Sequence, residues 1–133
     1  FDPKRFSSFE GATGPYLLYS TVRAQSILKK AEYKASLSGV ILKPETDAER
    51  DLHLMLDAYQ SVVLSAWEKR SPTELCNYVY VLATAFSTFY HEWPVLSEEE
   101  PGRRASLLPL VHFVQDTMVR SLDLLGIEVP DRM

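Results

Sequence analysis

SPTELCNYVYVLATAFSTFYHEWPVL, residues 71–96, carries a helix start and a buried stripe within one stretch. Ser71 and Glu74 are spaced as a capping box, each side chain placed to accept the other's orphan backbone N–H. Pro72 suits the first helical position because it has no N–H to leave unsatisfied. Leu75, Tyr78, Val79, Leu82, Phe86 and Phe89 then recur at the helical period, which prepares one face for burial. This helix cannot bury that face alone, so the neighbouring segments must supply partners.

Working outward, the sequence predicts three more helices and no convincing strand. Upstream, Thr46 and Glu49 form a second capping box, followed by Leu52, Met55, Leu56, Tyr59, Val63 and Ala66 at helical spacing. Further upstream a helix opens at Thr13-Gly14-Pro15, with Thr13 as N-cap, and runs to about Ala35. Downstream, Leu107, Leu110, Val111, Val114, Met118, Leu122 and Leu125 line a helix that Gly126 closes in the left-handed conformation. Pro109 requires either a start near Ser106 or a bend in a helix begun near Pro101. The connections are residues 37–45, a tight turn near Arg70, and 94–101 with the solvated run Glu98-Glu99-Glu100. Val40, Ile41 and Leu42 in the first connection read as an extended segment lying on the bundle. The expected fold class is all-α, a helical bundle of four main helices.

The chain of 133 residues supports one domain with a core, and residues 1–133 are read as that single domain. At 46% hydrophobic, 11% aromatic and 24% charged, the composition is that of a globular protein. No apolar run approaches bilayer length, so no membrane partner is expected. Phe1 stands where a methionine would begin a chain, and no signal-like segment follows, so the sequence reads as a piece of something longer. The net charge of −4 argues against a general nucleic-acid binder, though a local patch stays open.

No catalytic or metal constellation appears. His53, His91 and His112 fall on three segments without ligand spacing, and Cys76 has no second cysteine. Cys76 reads as a buried structural thiol, in a chain suited to a reducing compartment. Gly11-Ala12-Thr13-Gly14-Pro15 lacks the lysine of a phosphate-cradling loop. What remains is a stripe. Tyr16, Tyr19 and Arg23 lie at i, i+3 and i+7 on one helix face, and these residue types stack on exposed bases and contact phosphate. The alternative for the same residues is two core rings and an interhelical salt bridge. Lys29, Lys30 and Lys34 follow on the same helix, as a basic track or as complements to its C-terminal dipole. The chain's end, Ile127 to Met133, keeps apolar residues to the last position, as a packed tail would.

These features resemble one family. TGPYLLYSTVRAQSILKKA is similar to the helix that opens the C-terminal domain of arginyl-tRNA synthetases. LDLLGIEVPDRM resembles the end of those enzymes, and residues 71–96 resemble their central helix. Leu18 stands where the family has glutamine, and Leu107 where it often has arginine. The resemblance implies an anticodon-binding domain of the DALR type, the C-terminal fragment of a class I synthetase, whose partner is the anticodon stem-loop of arginine tRNA. It implies a tRNA-binding platform of Tyr16, Tyr19 and Met133, with Arg23 beside it. It further implies a cytoplasmic, monomeric parent that uses ATP with magnesium and whose catalytic domain is a second partner in the same chain. The fragment itself is expected to hold no catalytic residue, cofactor or metal. The rival readings are a helical protein-interaction module, and the anticodon domain of another class I synthetase such as the cysteine or methionine enzyme.

Overall fold

Helix caps and apolar spacing arrange the chain, in the computed structural model, as five α-helices over the described residues 14–35 and 40–133. They are α1 Gly14–Lys30, α2 Asp47–Asp57, α3 Tyr59–Glu68, α4 Thr73–Glu92 and α5 Pro101–Leu124, with a short 3-10 turn at Val95–Ser97 between the last two. No strand occurs among the described residues. The expected all-α bundle is what forms. Thr13 and the Gly11–Thr13 part of the glycine-containing stretch lie outside the described residues.

Helix α4 is the hub, packing on α1, α2, α3 and α5. Its stripe is as the spacing required, with Leu75, Tyr78, Val79, Leu82, Phe86 and Phe89 all buried. Phe86 and Phe89 are wholly enclosed, each contributing about 2–3 kcal/mol by burial. Against them α5 sets Leu107, Leu110, Val111, Val114, Met118 and Leu122. The segment expected as one helix from Thr46 becomes α2 and α3, divided at Ala58. Ala58 keeps right-handed helical geometry and donates to Leu54 O at 3.2 Å, so the division is a local irregularity and not a corner.

The caps differ from expectation in detail. Thr46 Oγ1 accepts from Glu49 N at 3.1 Å as predicted, but Glu49 reaches back to the N–H of Glu45, at 2.9 Å, instead of that of Thr46. The reason is its other partner. Glu49 is buried and bonded to Arg103 of α5, which also donates to Lys43 O at 3.3 Å and lies over the Trp93 ring at 4.7 Å. At the start of α4, Ser71 Oγ accepts weakly from Thr73 N at 3.4 Å, while Glu74 turns to Lys69 and not to Ser71. Lys69 is the first cause of the lowered pKa of Glu74.

The acidic run before α5 is a capping device and not merely a solvated loop. Glu100 caps α5 through the N–H groups of Gly102, at 3.0 Å, and Arg103. Glu98 accepts from Glu100 N at 3.0 Å and from Trp93 Nε1 at 2.6 Å, and these bonds hold its carboxyl below the ordinary range. With Pro101 at its first position, α5 runs unbroken through Pro109. The carbonyl that Pro109 leaves without a donor is that of Ala105, an exposed residue, so water can satisfy it.

Three helices end in the same way. Gly126 (φ 75) follows α5 as expected, and Ile127 N–H closes back onto Leu122 O at 2.8 Å. Glu32 (φ 52) and Arg70 (φ 50) do the same after α1 and α3 without glycine. Glu32 therefore stops α1 at Lys30, well before Ala35, and Lys34 lies beyond the helix. Residues 40–45 form neither helix nor strand; Leu42 N donates to Ser106 Oγ at 2.8 Å, which ties the segment to α5, while the side chains of Val40, Ile41 and Leu42 stay exposed.

Candidate nucleic-acid interface

Helix α1 sorts its residues by depth. Leu17, Ala24, Ile27 and Leu28 join the core cluster, and Thr21 buries its hydroxyl by donating to Leu17 O at 2.8 Å. The face carrying Tyr16, Tyr19 and Arg23 is turned outward from that line. Tyr19 is 47% exposed, while Tyr16 and Arg23 are half-buried. Neither of the two alternatives for the stripe holds for all three residues.

The other side of the ledge comes from α4, which runs in the same direction as α1. Tyr16 meets Tyr80 with ring centroids 5.8 Å apart and planes tilted by 57°, a geometry in which edge and face attract. One helical stretch further on, the Arg23 guanidinium lies 5.0 Å from the Tyr90 ring centroid, an electrostatic contact with the ring's negative face. Tyr90 in turn packs 6.2 Å from Phe86 of the core. Arg23 is thus aimed by an aromatic stack rooted in the interior, where a salt bridge between helices was the alternative. Tyr80 and Tyr90 escaped the sequence reading because both lie off the α4 core stripe. Their spacing from that stripe is the only signal that could have found them.

Lys30 continues the stripe seven residues after Arg23, and Lys29 and Lys30 are both exposed at the end of α1. The resulting face offers a central exposed ring, flanked by one aromatic pair and one cation–ring pair, and a cationic end. Such a surface can stack bases and contact a backbone phosphate without a net positive protein.

The tail is divided. Ile127 and Val129 pack on the core, and Ile127 shares a pocket with Gly14 and Leu17 at the start of α1. Residues 130–133 are exposed, Met133 to 55%. The expected packing reaches only the root of the tail, Ile127 and Val129, and stops before Pro130.

Other candidates separate. His53 lies beside Glu49 with Nε2 3.9 Å from Oε1, His112 packs on Tyr33 at 5.6 Å, and His91 is exposed. No group of three or more metal-capable side chains gathers among the described residues. Cys76 is exposed, not buried as expected, because the α4 stripe passes through Leu75 and Val79 and leaves position 76 outside. Leu18 packs against the core and Leu107 is fully buried within it. No described helix is long and apolar enough to cross a membrane.

Residues 17–133 match the family model described as DALR anticodon binding domain. The chain is 47% identical over 133 residues to the arginine–tRNA ligase of Hyphomonas neptunium, covering all of this chain and 22% of that protein. It is 44% identical to that of Maricaulis maris, again over 22% of the relative. Among solved structures, Thermus thermophilus arginyl-tRNA synthetase superposes with a TM-score of 0.84 at 40% identity, over 95% of this chain and 22% of that one. The arginyl-tRNA synthetase of Plasmodium falciparum gives a TM-score of 0.84 at 22% identity, a likeness of fold. The chain thus spans about a fifth of the length of the relatives it matches.

Proposed function

The chain belongs to the DALR anticodon binding domain family, and from that premise we propose that it grips the anticodon stem-loop of arginine tRNA as the C-terminal domain of an arginine–tRNA ligase. The observation that carries the reading is Tyr19, 47% exposed between the Tyr16–Tyr80 pair and the Arg23–Tyr90 pair. An unstacked loop base gains a ring face there, and Arg23 with Lys30 supplies charge for the adjoining backbone. Met133 completes the platform in this reading, as a flexible apolar side chain at the end of an exposed tail.

The activation of arginine with ATP and magnesium, and its transfer to tRNA, belong in this proposal to the parent polypeptide, monomeric and cytoplasmic. The domain's own contribution is binding energy and orientation of the tRNA. Its catalytic-domain partner in the same chain uses that energy to hold the acceptor end in place.

Fluorescence anisotropy with labelled anticodon stem-loops tests the reading. Saturable binding of the arginine stem-loop, weakened at least tenfold when the loop bases are exchanged, is expected. Equal affinity for unrelated stem-loops, or none for the cognate one, would reject it and favour a protein-interaction module.

A further inference from the structure

The ledge leads into a pocket. Tyr80, whose ring meets that of Tyr16 with centroids 5.8 Å apart, also lines a pocket of about 590 Å³, a volume typical of small-ligand sites. Leu17 of α1, Leu124 at the end of α5 and Ile127 at the root of the tail give it an apolar lining. Among the described residues, no charged side chain joins them. A phosphate or a cation would meet no opposite charge there. A neutral planar heterocycle would find apolar walls and a ring face.

The same pocket holds one uncommitted amide. Asn77 stands three residues before Tyr80, on the same face of α4. It is exposed and makes no hydrogen bond to a described residue. Of the ledge and pocket side chains, Asn77 alone carries a donor and an acceptor on separate atoms. That pairing is what a base edge complements. The rings and cations of the ledge act differently, because every base has a face and every nucleotide a phosphate. They hold a loop without reading it.

We propose that one base of the anticodon loop leaves its stack, enters this pocket beside Tyr80 and is read along its edge by the Asn77 amide. This rests on the reading of the ledge as the RNA-binding face and adds to it the residue that sets specificity. Contact with Tyr80 and with the apolar lining offsets the lost stacking of the base. A base with the wrong edge would leave its own polar groups unpaired against Leu17 and Ile127, which is costly.

Cys76 gives the pocket its own reporter, because it is exposed and lines the same pocket. In the full-length parent, the arginine stem-loop should slow alkylation of Cys76 several-fold, followed by mass spectrometry of its peptide. Among loops made abasic at one position each, one should still bind yet leave Cys76 unprotected, and that position identifies the base. Free nucleosides at the same concentration should not protect it. Asn77→Leu, at an exposed position that folding can spare, keeps apolar contact and removes the hydrogen bonds. It should weaken the cognate loop about tenfold, and exchanges of the identified base should then lose most of their effect. Cys76 protection that survives every abasic change would overturn the proposal, by making the RNA backbone the cover. So would protection by free nucleosides, which would make this a nucleoside site. Undiminished base discrimination in Asn77→Leu would also overturn it and leave the ledge reading standing, whereas a parent that binds no arginine stem-loop would remove both.

Discussion

The guanidinium of Arg103, in the first turn of α5, is bonded to the carboxylate of Glu49, in the first turn of α2, and both side chains are buried. Two charges withdrawn from water are costly unless each satisfies the other, so removing one partner leaves a bare buried charge. Arg103→Met should therefore cost about 3–5 kcal/mol in urea unfolding. Adding Glu49→Leu should recover a large part of that loss, because no charge is then stranded. A double variant as unstable as the sum of the singles would show that packing, and not charge compensation, dominates the site.

The stripe on α1 separates stability from recognition. Tyr19→Ala removes a ring that is 47% exposed, so stability should fall by less than the roughly 3–5 kcal/mol of a truncated core aromatic. Stem-loop affinity should fall by about one to two powers of ten if a base stacks there. Tyr16→Ala also removes the partner of Tyr80 and should lower both quantities. Arg23→Gln should reduce the slope of log affinity against log salt by about 1. Binding per folded molecule left intact in Tyr19→Ala would reject the assignment.

Two helix ends hold non-glycine residues in the left-handed region, Glu32 and Arg70. Such a residue costs roughly 1 kcal/mol more than glycine, which has no Cβ to clash. Arg70→Gly and Glu32→Gly should each raise the unfolding free energy by up to about 1 kcal/mol. Gly126→Ala should lower it by a similar amount, measured by the same urea titration. A loss of stability in both glycine variants would mean that side-chain contacts outweigh the backbone term.

Burial, followed by the nearby Tyr59, pushes the Tyr78 hydroxyl up to about 12, and it donates to Met55 O at 2.7 Å. The folded protein therefore keeps this proton more tightly than the unfolded chain, whose tyrosine titrates near 10. The stability linked to it is whole below pH 10 and is lost as pH rises through about 12. Between pH 9 and 11.5, the denaturation midpoint should fall more steeply for the native sequence than for Tyr78→Phe. Parallel curves would place the steep pH dependence elsewhere.

Much of the bundle could be read from local pattern. The stripe from Leu75 to Phe89 and the glycine closure at Gly126 depend on neighbours within a few residues, and both formed as the spacing required. The Arg103–Glu49 pair was invisible because its partners lie 54 residues apart, and lone charges in a sequence read as surface. The early end of α1 was equally hidden, since Glu32 takes a conformation that its residue type disfavours. At the candidate interface the α1 tyrosines were legible from their own helical spacing. Tyr80 and Tyr90 join them only through the packing of α1 on α4, a relationship no single helix encodes.

The strap over residues 42–49 has a kinetic consequence. Leu42 meets Ser106, Lys43 meets Arg103 and Glu49 meets Arg103, so each bond that ties the strap to α5 closes a loop of more than fifty residues. Closing such loops is entropically slow to reward, whereas the helices need only near neighbours. The strap thus belongs to the last contacts made and the first released. Changes within it should fall on the unfolding rate and leave the folding rate nearly untouched, so the lifetime of the folded domain is governed by this seam.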